Sequence, residues 1–182
     1  MRSLEDASVN GKRVLIWLGL NAPMEERDGK QVVVDDSRLQ RILPTLHFLI
    51  NRFAKVIIIS KLGRPNGEIV PELSMKPMYE HLSKLLGREV KFMPELFGEA
   101  TAQAINEMQE GEIVGLENVR FDKRDEANSR TFARELAAYG DLYVNEDLST
   151  SQREEATVVA ITEFLPSYAG LLLEREVGVI TN

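Results

Sequence analysis

Short, unbroken apolar runs recur along this chain and constrain its fold more than any other feature. Arg13 to Leu18 reads Arg-Val-Leu-Ile-Trp-Leu, comparable runs follow at Lys55 to Ser60, Glu112 to Leu116 and Asp141 to Asn145, and a weaker one lies at Val90 to Met93. A strand with one wet face alternates apolar and polar residues, so a continuous run predicts a strand buried on both faces, as in parallel sheets. Between the runs lie segments with helical spacing. Leu39, Ile42, Leu43, Leu46, Leu49, Ile50 and Phe53 make one apolar stripe, with Asp36 or Ser37 placed to cap its start and Pro44 expected to kink it. Pro77 to Leu86 closes with Gly87, a C-cap signal, and Glu99 to Met108 and Ser129 to Tyr139 carry apolar residues at three- and four-residue steps. Strands alternating with helices imply right-handed crossovers. The expected fold is therefore α/β, a doubly wound parallel sheet with a Rossmann-like three-layer α/β/α architecture in a single domain. Pro65-Asn66-Gly67 predicts a turn.

The 182 residues, 43% hydrophobic and 28% charged, suit one compact domain that buries about 70% of its unfolded surface. A formal net charge of -7, with no basic face to offset it, argues against nucleic-acid binding. Any positive site must be local. No window approaches eighteen apolar residues, and Met1-Arg2-Ser3-Leu4-Glu5-Asp6 lacks the basic-then-apolar pattern of a signal peptide, so no membrane association and a cytoplasmic setting are expected. The absence of cysteine excludes disulfides, thiolate catalysis and cysteine-zinc sites. His47 and His81 lie on separate predicted helices without paired carboxylates, so neither is expected to bind a metal.

Against this acidic background, three arginines each follow an apolar run: Arg64, Arg120 and Arg153. In a parallel α/β sheet the strand ends share one edge, and ligands bind in the crevice outside their carboxyl ends. Residues scattered in sequence can thus converge. The planar guanidinium fork holds carboxylate and phosphate oxygens in bidentate geometry, so the cluster points to a small, strongly anionic ligand. Ser60-Lys61-Leu62-Gly63-Arg64-Pro65 pairs a glycine, which allows close backbone approach, with an adjacent arginine. Val34-Asp35-Asp36-Ser37-Arg38 places Arg38 in the first turn of a helix, whose amide groups also favour anions. Trp17, inside a strand run, reads as core.

Taken in order, these strings make the chain resemble the N-terminal domain of phosphoglycerate kinase from about Leu4 to Val177. The resemblance rests on Gly11-Lys12-Arg13-Val14-Leu15, Asn21-Ala22-Pro23, Asp35-Asp36-Ser37-Arg38, Leu43-Pro44-Thr45, Leu62-Gly63-Arg64-Pro65, Glu117-Asn118-Val119-Arg120-Phe121, Tyr143-Val144-Asn145 and Phe164-Leu165-Pro166. It implies a domain that binds 3-phosphoglycerate or 1,3-bisphosphoglycerate. Asn21, Arg38, Arg64, Arg120 and Arg153 fall on the family's substrate-binding positions, and Arg38 is the arginine that would also steady the transferring phosphoryl group. ATP or ADP with Mg2+ is expected only on a nucleotide-binding C-terminal domain lying outside residues 1–182, so this chain alone is not expected to turn over ATP or to hold a cofactor. A domain without that partner should expose apolar surface near Tyr168 to Leu173.

The chain also departs from the family pattern. Trp17 and Gly19-Leu20-Asn21 stand where the family has an arginine and an Asp-Phe-Asn triplet, so the aspartate that would hold the substrate hydroxyl is missing. Lys61 replaces a histidine, either as a compensating cation in the site or as a solvated charge. Gln152 and Glu155 replace two further histidines. Asn21 also reads as the start of the Asn21-Ala22-Pro23 turn, the more common role for asparagine beside proline. Asp147, Glu154 and Glu155 would weaken an anion site by like-charge repulsion unless they point outward. Two functions follow from the resemblance: the substrate-binding half of a phosphoglycerate kinase, or a divergent, non-catalytic domain that keeps the fold as a binding or scaffold module.

Overall fold

The computed structural model describes residues 1–181. Its strands are β1 (Arg13–Trp17), β2 (Met24–Arg27), β3 (Lys30–Val33), β4 (Lys55–Ile59), β5 (Val90–Met93), β6 (Ile113–Leu116), β7 (Leu142–Asn145) and β8 (Ser167–Ala169). The helices are α1 (Ser37–Asn51), α2 (Lys76–Leu86), α3 (Glu99–Asn106), α4 (Arg130–Ala137) and α5 (Leu171–Thr181). Six strands form one sheet in the order β5-β6-β4-β1-β7-β8, and every pairing in it is parallel. The continuous apolar runs thus form the doubly buried strands that their pattern predicts.

Alternate side chains of each strand feed two separate cores. Val14, Ile16, Val56, Ile58 and Val144 pack with Leu39, Leu46 and Leu49 of α1, Met78 and Leu82 of α2, and Leu172 of α5. Leu15, Trp17, Ile57, Ile59 and Tyr143 face Ile105 of α3 and Phe132, Ala133 and Leu136 of α4. Helices therefore cover both faces, and the three layers are α1, α2 and α5, then the sheet, then α3 and α4. Gly115 is required here, because a Cβ on it would lie 2.7 Å from the Tyr79 ring, whose hydroxyl donates to the Leu116 carbonyl at 2.6 Å.

Several local expectations need correction. Asp36 holds the N-cap position of α1 without bonding the helix end; its carboxylate instead takes Gln40 Nε2 at 3.3 Å and meets His81 Nε2 at 2.9 Å. Asp35 supplies the local bond, accepting from Ser37 N at 3.0 Å. Pro44 lies inside this helix, where the sequence places it. Pro44 is exposed, so the carbonyl one turn earlier, on exposed Gln40, can meet water. The β2–β3 hairpin stands apart from the main sheet and turns at Asp28 (φ 52) and Gly29 (φ 73), an Asp-Gly pair suited to a tight hairpin turn. β2 is charged and largely exposed and β3 is short and at most half-buried, so both lack the continuous apolar signature of the others. The Tyr168 to Leu173 segment is itself buried or half-buried, yet Tyr168, Ala169 and Leu173 line an open, mainly apolar cavity with Val158 and Val177, and Val179 and Ile180, 76% and 72% exposed, carry the apolar surface farther along α5. No helix among the described residues is long and apolar enough to cross a membrane.

Candidate functional site

The carboxyl ends of β1, β4, β6 and β7 lie side by side, and the loops that leave them are bonded to one another. Ser60 Oγ donates to the Leu18 carbonyl at 2.6 Å, and Val119 N donates to the Ser60 carbonyl at 3.2 Å. Asn118 ties the next pair: its Nδ2 reaches the carbonyls of Leu62 (2.7 Å) and Leu73 (3.0 Å), while its Oδ1 accepts from Arg120 N (3.0 Å). Gly63 adopts a left-handed φ of 63° with Leu73 pressed against it, where a Cβ would sit 2.8 Å from Leu73 Cδ2. These bonds fix where the site side chains start.

Five of the six predicted residues line one cavity. Asn21, Lys61, Gly63, Arg64, Arg120 and Arg153 surround a space of about 170 Å³. The sixth, Arg38, lines an adjacent cavity of about 130 Å³ with Gly19, Arg41, Glu146, Asp147 and Glu176 among its neighbours. Both cavities open from the loop that leaves β1.

A buried carboxylate lies behind the wall of the first cavity. Glu155, 7% exposed, places Oε1 in a hydrogen bond with Arg120 Nη2, lies 3.4 and 3.5 Å from Lys61 Nζ through its two oxygens, and meets Arg153 Nη1 at 3.7 Å. Arg120 is 3% exposed and pairs also with Glu126 at 2.8 Å, leaving Nε without a hydrogen-bond partner. Arg64 and Asn21 are exposed, and Arg64 makes no ion pair among the described residues. Burial lowers the Lys61 ammonium below its usual range; Glu155 opposes that shift, and Arg120 and Arg153 reinforce it. Lys61 thus lines the cavity as a largely buried, ion-paired ammonium.

The sequence marks Glu155 as a departure from the family pattern but does not show that it points inward. Its orientation is set from a distance: Asp125 Oδ1 accepts from Thr157 N (3.0 Å) and Thr157 Oγ1 (2.8 Å), and Ala156 N donates to the Asp125 carbonyl (2.8 Å). Burial raises the Asp125 carboxyl to about 6. No short-range sequence signal links positions 125 and 157.

In the second cavity the acids are committed elsewhere. Asp147 accepts from Ser149 N (3.0 Å), Ser149 Oγ (2.7 Å) and Thr150 Oγ1 (2.9 Å), and Arg41 pairs with Glu176. Asp147 also fills the space beyond Gly19, where a Cβ would lie 2.9 Å from its Cγ. Glu146, 1% exposed, accepts from Thr45 Oγ1 and, at 3.1 Å, from Leu172 N; burial lifts its carboxyl to about 7. Arg38, by contrast, is exposed and makes no ion pair among the described residues. Of the histidines, His47 is exposed and His81 is held by Asp36. No group of three or more His, Asp or Glu side chains among the described residues is arranged to hold a metal.

Comparison with known proteins agrees with this geometry. The phosphoglycerate kinase family profile matches residues 4–182. The phosphoglycerate kinase of Coprothermobacter proteolyticus is 42% identical over 181 residues, covering 100% of this chain and 45% of its own length. That of Bartonella bacilliformis is 46% identical over 179 residues, covering 98% and 44%. Among solved structures, phosphoglycerate kinase from Coxiella burnetii superposes with a TM-score of 0.86 at 31% identity, over 98% of this chain and 44% of that one. The Pyrococcus horikoshii enzyme gives 0.87 at 29%, over 100% and 45%. The chain spans under half the length of these relatives. With its fold, the order of its loops and these matches in agreement, the chain belongs to the phosphoglycerate kinase family.

Proposed function

We propose that this chain is the 3-phosphoglycerate-binding domain of a phosphoglycerate kinase, which converts ATP and 3-phosphoglycerate to ADP and 1,3-bisphosphoglycerate in glycolysis. The observation that carries the proposal is the single cavity lined by Asn21, Lys61, Arg64, Arg120 and Arg153, with Arg38 in the adjoining one. Guanidinium and ammonium groups at the ends of neighbouring strands suit a phosphate dianion. Phosphoryl transfer asks a protein mainly for positioning and charge stabilisation, so a site without a nucleophile suffices. Arg38, unpaired and one loop away, is the group to meet the transferring phosphoryl. The nucleotide and its Mg2+ are assigned to a further, C-terminal domain, in keeping with a chain that spans under half the length of its relatives.

Titration calorimetry with 3-phosphoglycerate tests the substrate assignment. Millimolar or tighter binding, weakened several-fold by Arg38→Ala, is the expected result; a folded sample that binds nothing at millimolar ligand rejects it. A second reading, a non-catalytic domain of the same family, is favoured by Glu155, whose carboxylate already engages three of the cations. A coupled ATP assay on the full-length protein separates the two, because turnover eliminates the second.

A further inference from the structure

Glu155 stands out from the other acids of this molecule. It is nearly fully buried, and all three of its charged partners line the candidate anion cavity: Lys61 from the β4 end, Arg120 from the β6 end and Arg153 from the β7 loop. Surface carboxylates with purely structural roles, such as Asp141 with Arg13 or Glu163 with Arg130, pair with a single cation away from any such cavity. We infer that Glu155 is a resident counter-ion behind the cavity wall, with which an incoming ligand must compete for Lys61, Arg120 and Arg153, and that it makes the cavity selective for phosphate dianions over simple carboxylates.

The argument is one of competition. A carboxylate fixed by its own backbone competes at an effective concentration in the millimolar range or above, and it is pre-organised in its bound position. A free monocarboxylate offers the same two oxygens and the same single charge, so it gains nothing by exchange. A phosphate offers a charge of about -1.5 to -2 and three acceptor oxygens, and can engage Lys61, Arg120, Arg153 and Arg64 together. Arg120 keeps Glu126 as a partner at 2.8 Å when Glu155 is displaced, so the exchange does not leave a buried guanidinium alone. Arg153, about half exposed, and Arg64, exposed, face the entry side. The inference rests on the anion-site reading above and adds its selectivity.

Inorganic phosphate and glycolate, a monocarboxylate, are the probes, titrated by calorimetry into the folded chain and into Glu155→Gln, whose amide oxygen still accepts from Arg120. The wild type should bind phosphate and ignore glycolate at about 10 mM, whereas Glu155→Gln should bind phosphate about tenfold tighter and acquire glycolate binding. Adding Arg153→Ala should reduce both gains, which locates them in this cavity. Glu155→Asp, with a shorter reach to Arg120, should fall between the two and serves if the glutamine variant does not fold. Unchanged or weaker phosphate binding in the variants, or glycolate bound equally by the wild type, overturns the inference alone. If neither phosphate nor 3-phosphoglycerate binds any of the proteins, the anion-site reading falls and takes the inference with it.

Discussion

The two cavities beside the loop that leaves β1 hold the same kind of residue in opposite circumstances. Arg120 is 3% exposed and divided between Glu155 and Glu126; Arg38 is exposed and meets no carboxylate, although Glu146, Asp147 and Glu176 line its cavity. Asp147 is saturated by its own turn, Glu176 is taken by Arg41, and burial favours the neutral form of Glu146. Burial accounts for the contrast. A guanidinium cannot be left charged and alone in a core, so Arg120 carries its counter-ions with it, while water screens Arg38 and leaves it free for a ligand. A ligand would therefore gain directly from Arg38 and Arg64, whereas at Arg120 it would compete with a carboxylate.

Removing the two arginines should separate these roles most strongly. Arg120→Ala leaves Glu155 buried with only Lys61 and Arg153 near it, and should cost on the order of 4 kcal/mol, lowering Tm by about 10 °C in thermal unfolding. Arg38→Ala should change stability by less than about 0.5 kcal/mol, as for exposed residues generally. Equal and small effects would show that the buried pair is not the structural anchor its burial suggests.

Two buried acids, Glu146 of the second cavity and Asp125, which anchors the Thr157 segment, give the next largest effect. Glu146 is held at about 7 against an ordinary 4.5, and Asp125 at about 6 against 3.8. The folded chain holds both protons more tightly than the unfolded one, so this part of the stability is complete below about pH 4 and is lost as pH rises to about 7. Glu146→Gln removes the charge that burial penalises. It should raise stability at pH 8 by on the order of 2 kcal/mol and flatten the decline between pH 5 and 7, leaving the lower Asp125 segment. Urea unfolding across that range reads both, and an unchanged slope would place the Glu146 charge in water.

Much of this arrangement is legible in the sequence, for identifiable reasons. A strand buried on both faces must be apolar throughout, and Leu15 and Ile16 at 0% exposure, facing opposite cores, show why the β1 run has no polar alternation. Loops at strand ends inherit their positions from the sheet, which is why Arg64, Arg120 and Arg153, spread over some ninety residues, reach one cavity. What the sequence leaves open is side-chain direction. Glu155 faces inward because Asp125, thirty-two residues before Thr157, holds that segment through the hydroxyl and amide of Thr157. That Asp147 lines the cavity of Arg38 without pairing with it likewise depends on the turn at Ser149 and Thr150 that takes up its carboxylate. The hairpin at Asp28 and Gly29 escapes for a different reason, since its charged, exposed β2 and four-residue β3 resemble a loop.

The smallest effect tests what keeps the two cavities distinct. Trp17 Nε1 donates to Thr150 Oγ1 at 2.8 Å, and that hydroxyl donates to Asp147 Oδ2 at 2.9 Å, so one buried hydroxyl connects the core of β1 to the acid beside Gly19. Thr150→Val keeps the shape and removes the connection. The orphaned indole N–H should cost about 1.5 kcal/mol and change the Trp17 fluorescence, since this is the chain's one tryptophan. Asp147 retains Ser149, so the turn should survive with its acid less firmly held. Weaker anion binding through Arg38, with binding in the Glu155 cavity unchanged, would show that the hydroxyl keeps Asp147 away from Arg38. Equal changes in both cavities would mean that the two behave as one site.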